Sequence, residues 1–367
     1  MSKRITILIK PTDDCNLRCL YCYHSDYQYL SEKINISAYD KLIEMALGQY
    51  QEMHFIWHGG EPLLMSDDFY AKVNCITQKY NEQGDIKITH AMQTNGTLLS
   101  KERLSVFDSY NIGISFDGLS NSKNRGKTEE TINAIDILKE KNKKVGVIKV
   151  VMPYDLHNLL DEYNYFKELD INVKYSPLFE CGKIEKVEKY YSAKEYSDVM
   201  WQLFIYWIND EDSKIIIEPF ESLLGMALGN DKRPCTYGSC LGKFLCVTYE
   251  GNIYPCSRYF PKQYLIGNII EYNTIDECFE SENYQNLIRG AMERREKCSQ
   301  QCKLFKYCHG GCNNEAISNG DITRSGNFSC MFFKIFFPKV LNFIKTSNEI
   351  KNHSLKCRLD SLNLGTR

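Results

Sequence analysis

An α/β architecture, a partial (β/α)6 TIM-like barrel followed by a cysteine-rich C-terminal domain, is predicted by three features of this 367-residue sequence. Six apolar runs alternate with helix-like stretches over roughly the first 180 residues. Ten of the sixteen cysteines fall between Cys235 and Cys330. Turn signals such as Tyr249-Glu-Gly-Asn252 and Gly310-Gly311 punctuate that second region, which reads as loop-rich. Strands alternating with helices imply parallel β/α units joined by right-handed crossovers. In such folds the loops that follow the strands gather at one face and carry the chemistry.

Taken in order, Ile5–Ile9 reads as a strand, followed by a helix over 37–50. Met53–Trp57 precedes a helix over 68–80, and Ile86–Gln93 precedes one over 101–110. Ile112–Phe116 leads to a helix over 130–141, and Val145–Met152 to one over 156–168. Ile171–Leu178 completes the series; an aromatic-rich helix over 195–207 then leads to a boundary near residue 230. A helix from about Phe332 closes the chain. The expected domains are 1–230, the barrel with its connecting helices; 231–350, the cysteine-rich domain with its closing helix; and 351–367, a polar tail.

Composition narrows the function classes. With 43% hydrophobic and 25% charged residues the chain is an ordinary globular one, and its formal net charge of −2 argues against binding nucleic acid by phosphate neutralisation. The basic run Lys139–Lys144 fits a solvated helix end. Four residues before the first strand are too few for a signal peptide, and the apolar stretch 331–344 is broken by Lys334, Pro338 and Lys339, so no membrane span is expected. The expected location is therefore the cytoplasm, where disulfides are rare and clustered thiols point to metal ligation.

Directly after the first strand comes Asp14-Cys15-Asn-Leu-Arg-Cys19-Leu-Tyr-Cys22, a C-x3-C-x2-C spacing. A four-iron cluster takes four ligands, so three thiolates leave one iron open to another molecule. A structural zinc would be closed by a fourth protein ligand, for which His24 is available. His58-Gly59-Gly60-Glu61-Pro62 follows the second strand, Gln93-Thr-Asn95-Gly96 the third and Ser115-Phe-Asp117-Gly118 the fourth. Glycines at such strand ends permit close approach of a ligand.

Together these segments resemble the radical S-adenosylmethionine (SAM) enzymes, whose C-x3-C-x-Φ-C motif, here with Φ as Tyr21, lies after the first strand of a partial barrel. The resemblance implies that Cys15, Cys19 and Cys22 hold a cluster whose open iron binds SAM, and that reductive cleavage of SAM yields a 5′-deoxyadenosyl radical that abstracts a substrate hydrogen. It further implies SAM contacts from Gly59, Gly60 and Glu61, the last to the SAM ammonium. Gln93, Asn95, Ser115 and Asp117 resemble segments that contact its methionine and ribose, and Arg125 suits its carboxylate. The segment Tyr175–Phe179 is expected to face the adenine.

The later cysteines resemble the SPASM extension, which holds two auxiliary four-iron clusters. That resemblance assigns Cys235, Cys240, Cys256 and Cys312 to an inner cluster, and Cys298, Cys302, Cys308 and Cys330 to an outer one. One departure is the three residues between Cys298 and Cys302, where the family usually has two. Zinc ribbons are the alternative for these eight. Cys75, Cys246, Cys278 and Cys357 read as packing or tail residues; Cys181, after the sixth strand, is a weak candidate for a redox or hydrogen-donor role.

The stretch Gly251-Asn-Ile-Tyr-Pro-Cys256 and the later Leu265-Ile-Gly-Asn-Ile269 are similar to those of the anaerobic sulfatase-maturating enzymes, and the chain also resembles the ribosomal-peptide maturases. Many of the former carry an aspartate, a proposed base, immediately after the third auxiliary cysteine; this sequence has Ser257, a poor proton acceptor. On that ground the leading expectation is oxidative crosslinking (C–C, C–O or thioether) of a ribosomally synthesised peptide. Formylglycine formation in a sulfatase and an iron–sulfur electron carrier without SAM chemistry are the alternatives. The expected cofactors are SAM and three [4Fe–4S] clusters. The expected partners are a peptide or protein substrate and a low-potential electron donor such as flavodoxin or ferredoxin. Substrate recognition would come from a separate leader-binding protein, from the domain surfaces, or from the substrate core itself.

Overall fold

The six expected strands form where the apolar alternation places them. The computed structural model describes residues 3–23, 32–178, 190–230, 233–238, 240–258, 262–349, 353–362 and 364. Within it, β1 (Arg4–Ile9), β2 (Glu52–Trp57), β3 (Lys87–Thr94), β4 (Asn111–Ser115), β5 (Gly146–Val151) and β6 (Asn172–Pro177) pair in parallel and in chain order. Alternate residues of each strand face the helical layer. Ile5, Ile7 and Ile9 of β1 and Met53, Phe55 and Trp57 of β2 are fully buried there.

The covering helices are α1 (Ile36–Glu44), α2 (Asp67–Gln83), α3 (Lys101–Leu104), α4 (Asn121–Asn124), α5 (Thr128–Glu140) and α6 (Leu159–Glu168). Side-chain caps start several of them: Asn35 accepts the N–H of Ser37, and Ser66 that of Phe69, satisfying donors that the first helical turn leaves free.

Two short strands extend the sheet beyond the expected six. β7 (Ile217–Glu218) lies parallel to β6, and β8 (Phe244–Val247) lies parallel to β1 with Ile9 opposite Val247. β9 (Asn252–Tyr254) and β10 (Gly267–Asn268) continue it antiparallel, giving one ten-stranded open sheet among the described residues. Strands of two to four residues are too short to show a period in sequence. Pairing of β8 with β1 has a functional consequence: it places the first half of the cysteine-rich region beside the loop that carries Cys15.

The C-terminal region is more helical than its turn signals suggest. After α7 (Ala193–Asn209) and α8 (Phe220–Ala227) come α9 (Ile275–Glu280), α10 (Glu282–Gln301), α11 (Phe305–Cys308) and α12 (Asn313–Ser318). α10 was obscured by its polarity: Tyr284, Leu287 and Ala291 make a narrow apolar stripe, and the next position inward is Arg294, fully buried and donating to the carbonyls of Gly310 and Ile322. α13 (Phe328–Glu349) packs Phe336 and Phe343 against Trp201 and Phe204 of α7, which anchors this region to the barrel. Within the stretch expected to be a polar tail, α14 (His353–Ser361) forms and docks on α7. Its Arg358 lies 4.6 Å from the Trp207 ring and donates to the carbonyls of Trp207, Asp210 and Ser213. Among the described residues, no helix is long and apolar enough to cross a membrane.

Candidate functional site

The ends of β1 to β4 converge on the three-cysteine loop. Cys15, Cys19 and Cys22 lie within electrostatic reach of one another. The loop after β2 is docked onto the backbone that leads into it: the N–H of Glu61 donates to Asp14 O at 2.8 Å, and that of Gly60 to Thr12 O at 3.1 Å. A Cβ on Gly60 would stand 2.0 Å from Asp14 O, so a glycine is required there. The close approach that the glycine permits is therefore, in this structure, to the cysteine loop itself.

Glu61 is buried and already heavily engaged. One carboxylate oxygen accepts the Thr94 hydroxyl at 2.6 Å and the Leu63 N–H at 2.9 Å; the other accepts the Asn95 N–H at 2.8 Å. Burial pushes its carboxyl up, and these three donors oppose that. Its evident work is to tie the β2 and β3 loops together. Asn95 carries the tie onward, donating to Asn16 at 2.9 Å with Cys15 Sγ 3.9 Å away. Gln93 and Ser115, neighbours across β3 and β4, share a 2.9 Å hydrogen bond.

Tyr21, Asp117 and Arg125 form a connected set on the other side of the loop. Arg125 donates to the Tyr21 hydroxyl at 2.7 Å, and that hydroxyl donates to Asp117 at 2.8 Å. Arg125 is also in electrostatic reach of Cys19. Leu17, Cys19 and Tyr21 pack with Met152 and Leu178 in a small apolar cluster that dries this side of the site. Tyr175 points away from it: its ring stands 6.3 Å from Phe166 of α6, on the helical side of β6. Strand alternation thus removes Tyr175 from any role facing the adenine. Phe179, Cys181 and His24 lie outside the described residues.

The remaining eight expected ligands form two groups. Cys240 neighbours Cys235 and Cys256, and Cys312 neighbours Cys256. Cys308 neighbours Cys298, Cys302 and Cys330, and these four line one cavity of about 150 Å³ with Tyr237, Phe305 and Phe333. The three-residue gap between Cys298 and Cys302 is explained by α10. The helix continues to Gln301, the Cys302 N–H donates to Cys298 O at 2.9 Å, and an i,i+4 pair falls on one face. Burial pushes the thiols of Cys15, Cys240 and Cys308 up to about 11 and that of Cys312 up to about 12, so thiolates there need a cationic partner. A four-thiol cavity and a three-thiol loop, both desolvated, fit iron–sulfur clusters in donor type and number.

Tyr23 is in electrostatic reach of both Cys22 of the first loop and Cys256 of the inner group. Ser257 follows Cys256, and the next residue, Arg258, pairs with buried Glu315 at 3.1 Å and sits 3.9 Å from Cys312 Sγ. Sequence reasoning missed the roles of Thr94 and Asn16, although both lie inside the motifs that carry Asn95 and Cys15. It also missed Lys149, Asp155 and Glu162, although a lysine inside the apolar run Val145–Met152 was a visible signal.

Comparison with known proteins agrees with this geometry. A radical SAM superfamily model matches residues 9–164, and an iron–sulfur cluster-binding SPASM domain model matches residues 235–313. The chain is 29% identical to a cysteine-type anaerobic sulfatase-maturating enzyme of Clostridium perfringens (strain 13 / Type A), over 95% of this chain and 99% of that protein. It is 26% identical to a serine-type enzyme of Bacteroides thetaiotaomicron, over 94% and 91%. Among solved structures, native anSMEcpe with bound AdoMet and Kp18Cys peptide superposes with a TM-score of 0.80 at 27% identity, covering 94% of this chain and 99% of that one.

These findings overturn the leading expectation of a peptide-crosslinking activity. That expectation rested on one residue, Ser257, whereas the likeness to sulfatase-maturating enzymes runs the length of the chain. Streptococcus suis SuiB bound to its precursor peptide SuiA reaches a TM-score of only 0.65 at 16% identity, a likeness of fold alone. The chain carries a radical SAM domain, built around the three-cysteine loop and the strand ends that frame it, followed by a SPASM iron–sulfur cluster-binding domain.

Proposed function

We propose that this chain is an anaerobic sulfatase-maturating enzyme, an oxidoreductase that converts a cysteine or serine side chain of a sulfatase to formylglycine. The observation that carries the reading is the end-to-end similarity to both types of sulfatase-maturating enzyme, combined with a three-cysteine loop framed by the ends of β2, β3 and β4. Cys15, Cys19 and Cys22 are the proposed ligands of the SAM-binding [4Fe–4S] cluster. Cys235, Cys240, Cys256 and Cys312 would hold the inner auxiliary cluster, and Cys298, Cys302, Cys308 and Cys330 the outer.

When bound, the first cluster and SAM supply hydrogen-atom abstraction from the substrate. The chain's own residues do the rest. Arg125, held by Tyr21, offers a guanidinium that suits the SAM carboxylate. Glu61 and Asn95 fix the loops on one side of the three cysteines, and Leu17, Met152 and Leu178 keep the Tyr21 side dry, which a reactive radical requires. The barrel is proposed for residues 1–230 and the auxiliary-cluster domain for 231–350, with a low-potential flavodoxin- or ferredoxin-type protein as electron donor.

The test is anaerobic reconstitution followed by incubation with SAM, a reductant and a sulfatase-derived peptide. A cysteine peptide comes first, because the cysteine-type relative is the more similar of the two. Mass spectrometry should show formylglycine. Cleavage of SAM with an unmodified peptide, for cysteine and serine versions alike, would reject the sulfatase reading.

A further inference from the structure

Behind the loop that follows β4 lies a buried charged cluster that no part of the mechanism above uses. Lys149 shares the helix-facing side of β5 with Val147 and Val151, and its side chain is fully buried. Its ammonium donates to Asp117 O at 2.8 Å and to Ser120 Oγ at 2.9 Å. It pairs with Glu162 of α6 at 3.2 Å and with Asp155 at 3.3 Å. The second oxygen of Glu162 accepts the Leu119 N–H at 3.1 Å, and a Cβ on Gly118, at φ +61°, would stand 2.2 Å from that oxygen. Asp155 in turn accepts the Met152 N–H at 3.1 Å. The ends of β4 and β5 are thus clamped to one cation.

Burying an ammonium among carboxylates is costly, and replacing such a set by apolar residues is often neutral or stabilising. Stability alone is therefore a weak reason for Lys149 to stand among valines. Its geometry supplies another. The residue whose main-chain oxygen it holds, Asp117, also accepts the Tyr21 hydroxyl and the Val150 N–H, and Tyr21 accepts from Arg125. One continuous chain of hydrogen bonds runs from β5 through Asp117 and Tyr21 to the guanidinium beside Cys19.

We propose that Lys149 is a positioning residue for SAM binding, setting the place of Arg125 through Asp117 and Tyr21. The inference rests on the reading of the Cys15 loop as the SAM-binding cluster site. Lys149 itself touches none of the cluster ligands; it fixes the backbone from which Asp117 reaches Tyr21, so its loss would let Tyr21 and Arg125 adopt other rotamers.

The test is a double-variant cycle on anaerobically reconstituted full-length protein, read by equilibrium dialysis of SAM and by the change in the reduced cluster's electron paramagnetic resonance spectrum when SAM is added. Lys149→Met and Tyr21→Phe should each weaken SAM binding about tenfold or more at unchanged iron content, and the combined variant should be no weaker than the worse single one, because residues acting through one another are non-additive. Multiplying effects, or undiminished SAM affinity in folded Lys149→Met, would overturn the proposal. Should Lys149→Met fail to fold, Glu162→Gln keeps the cation and the volume while loosening the clamp. Weakened SAM binding supports the relay in that variant, and unchanged binding rejects it. Absence of SAM binding by the wild-type protein is a separate outcome that would remove the underlying reading and the relay with it.

Discussion

The Glu61 carboxylate accepts the backbone N–H of Asn95 at 2.8 Å, across the gap between the second and third strand ends. Together with the Thr94 hydroxyl and the Leu63 N–H, this gives a buried carboxylate three protein donors. Glu61→Ala would leave all three without a partner, at about 1–3 kcal/mol for each buried group. The expected result is a melting temperature lowered by several degrees together with weakened SAM binding, at full iron content. Lost SAM binding at an unchanged melting temperature would show instead that Glu61 serves the ligand and not the loops.

Cluster number follows from the three cysteine groups. Reconstituted wild-type protein should hold about twelve irons, in three four-iron clusters. Replacing Cys15, Cys19 and Cys22 together by alanine should leave about eight and abolish release of 5′-deoxyadenosine. Iron analysis and chromatography of the SAM products check both. Zinc in place of iron would reject the assignment.

The helical spacing of Cys298 and Cys302 makes a different kind of test possible. Deleting Ser299 restores the two-residue gap usual in the family, but it turns Cys302 by about 100° relative to Cys298 if α10 keeps its form. The expected outcome is loss of about four irons with the SAM-binding cluster intact. Retention of all of them would mean that the last turn of α10 is not what aligns the pair.

His90 gives the fold a pH dependence. Its Nδ1 accepts the Trp57 indole N–H at 3.2 Å, and its Nε2 lies 2.9 Å from the Thr77 hydroxyl and 3.3 Å from that of Tyr39. The ring is stacked 4.7 Å from Tyr110. Burial, with a smaller contribution from His54, pushes its pKa down to about 3. The folded chain therefore keeps the ring neutral where the unfolded chain, near 6.5, takes a proton. The stability is present in full above about pH 6.5 and falls by about 1.4 kcal/mol per unit as pH drops from there toward 3. Denaturant unfolding followed by tryptophan fluorescence at pH 7.5 and 5.5 should show that loss in the wild type and a smaller one in His90→Gln.

Much of this molecule was legible in its residues. The six parallel strands fell within a residue or two of the apolar runs, because a strand buried against helices must repeat its side chains with period two. The thiols were legible by their spacing, and the structure brings the cysteines of each expected group near one another. The expected crosslinking activity failed for a related reason: Ser257 is a single position, and a proton acceptor can be supplied from elsewhere in a fold.

What the sequence determined by itself was therefore periodic or chemical: the barrel strands, the thiols and the cofactor class they require. Only the tertiary structure decided how distant segments meet. It paired β8 with β1, which brings Cys256 near Tyr23; it continued α10 through the Cys298–Cys302 gap; and it buried Lys149 between Asp155, Glu162 and the Asp117 carbonyl. Such contacts join residues far apart in the chain. Their energies depend on burial and on partners supplied by other elements, and no local pattern records either.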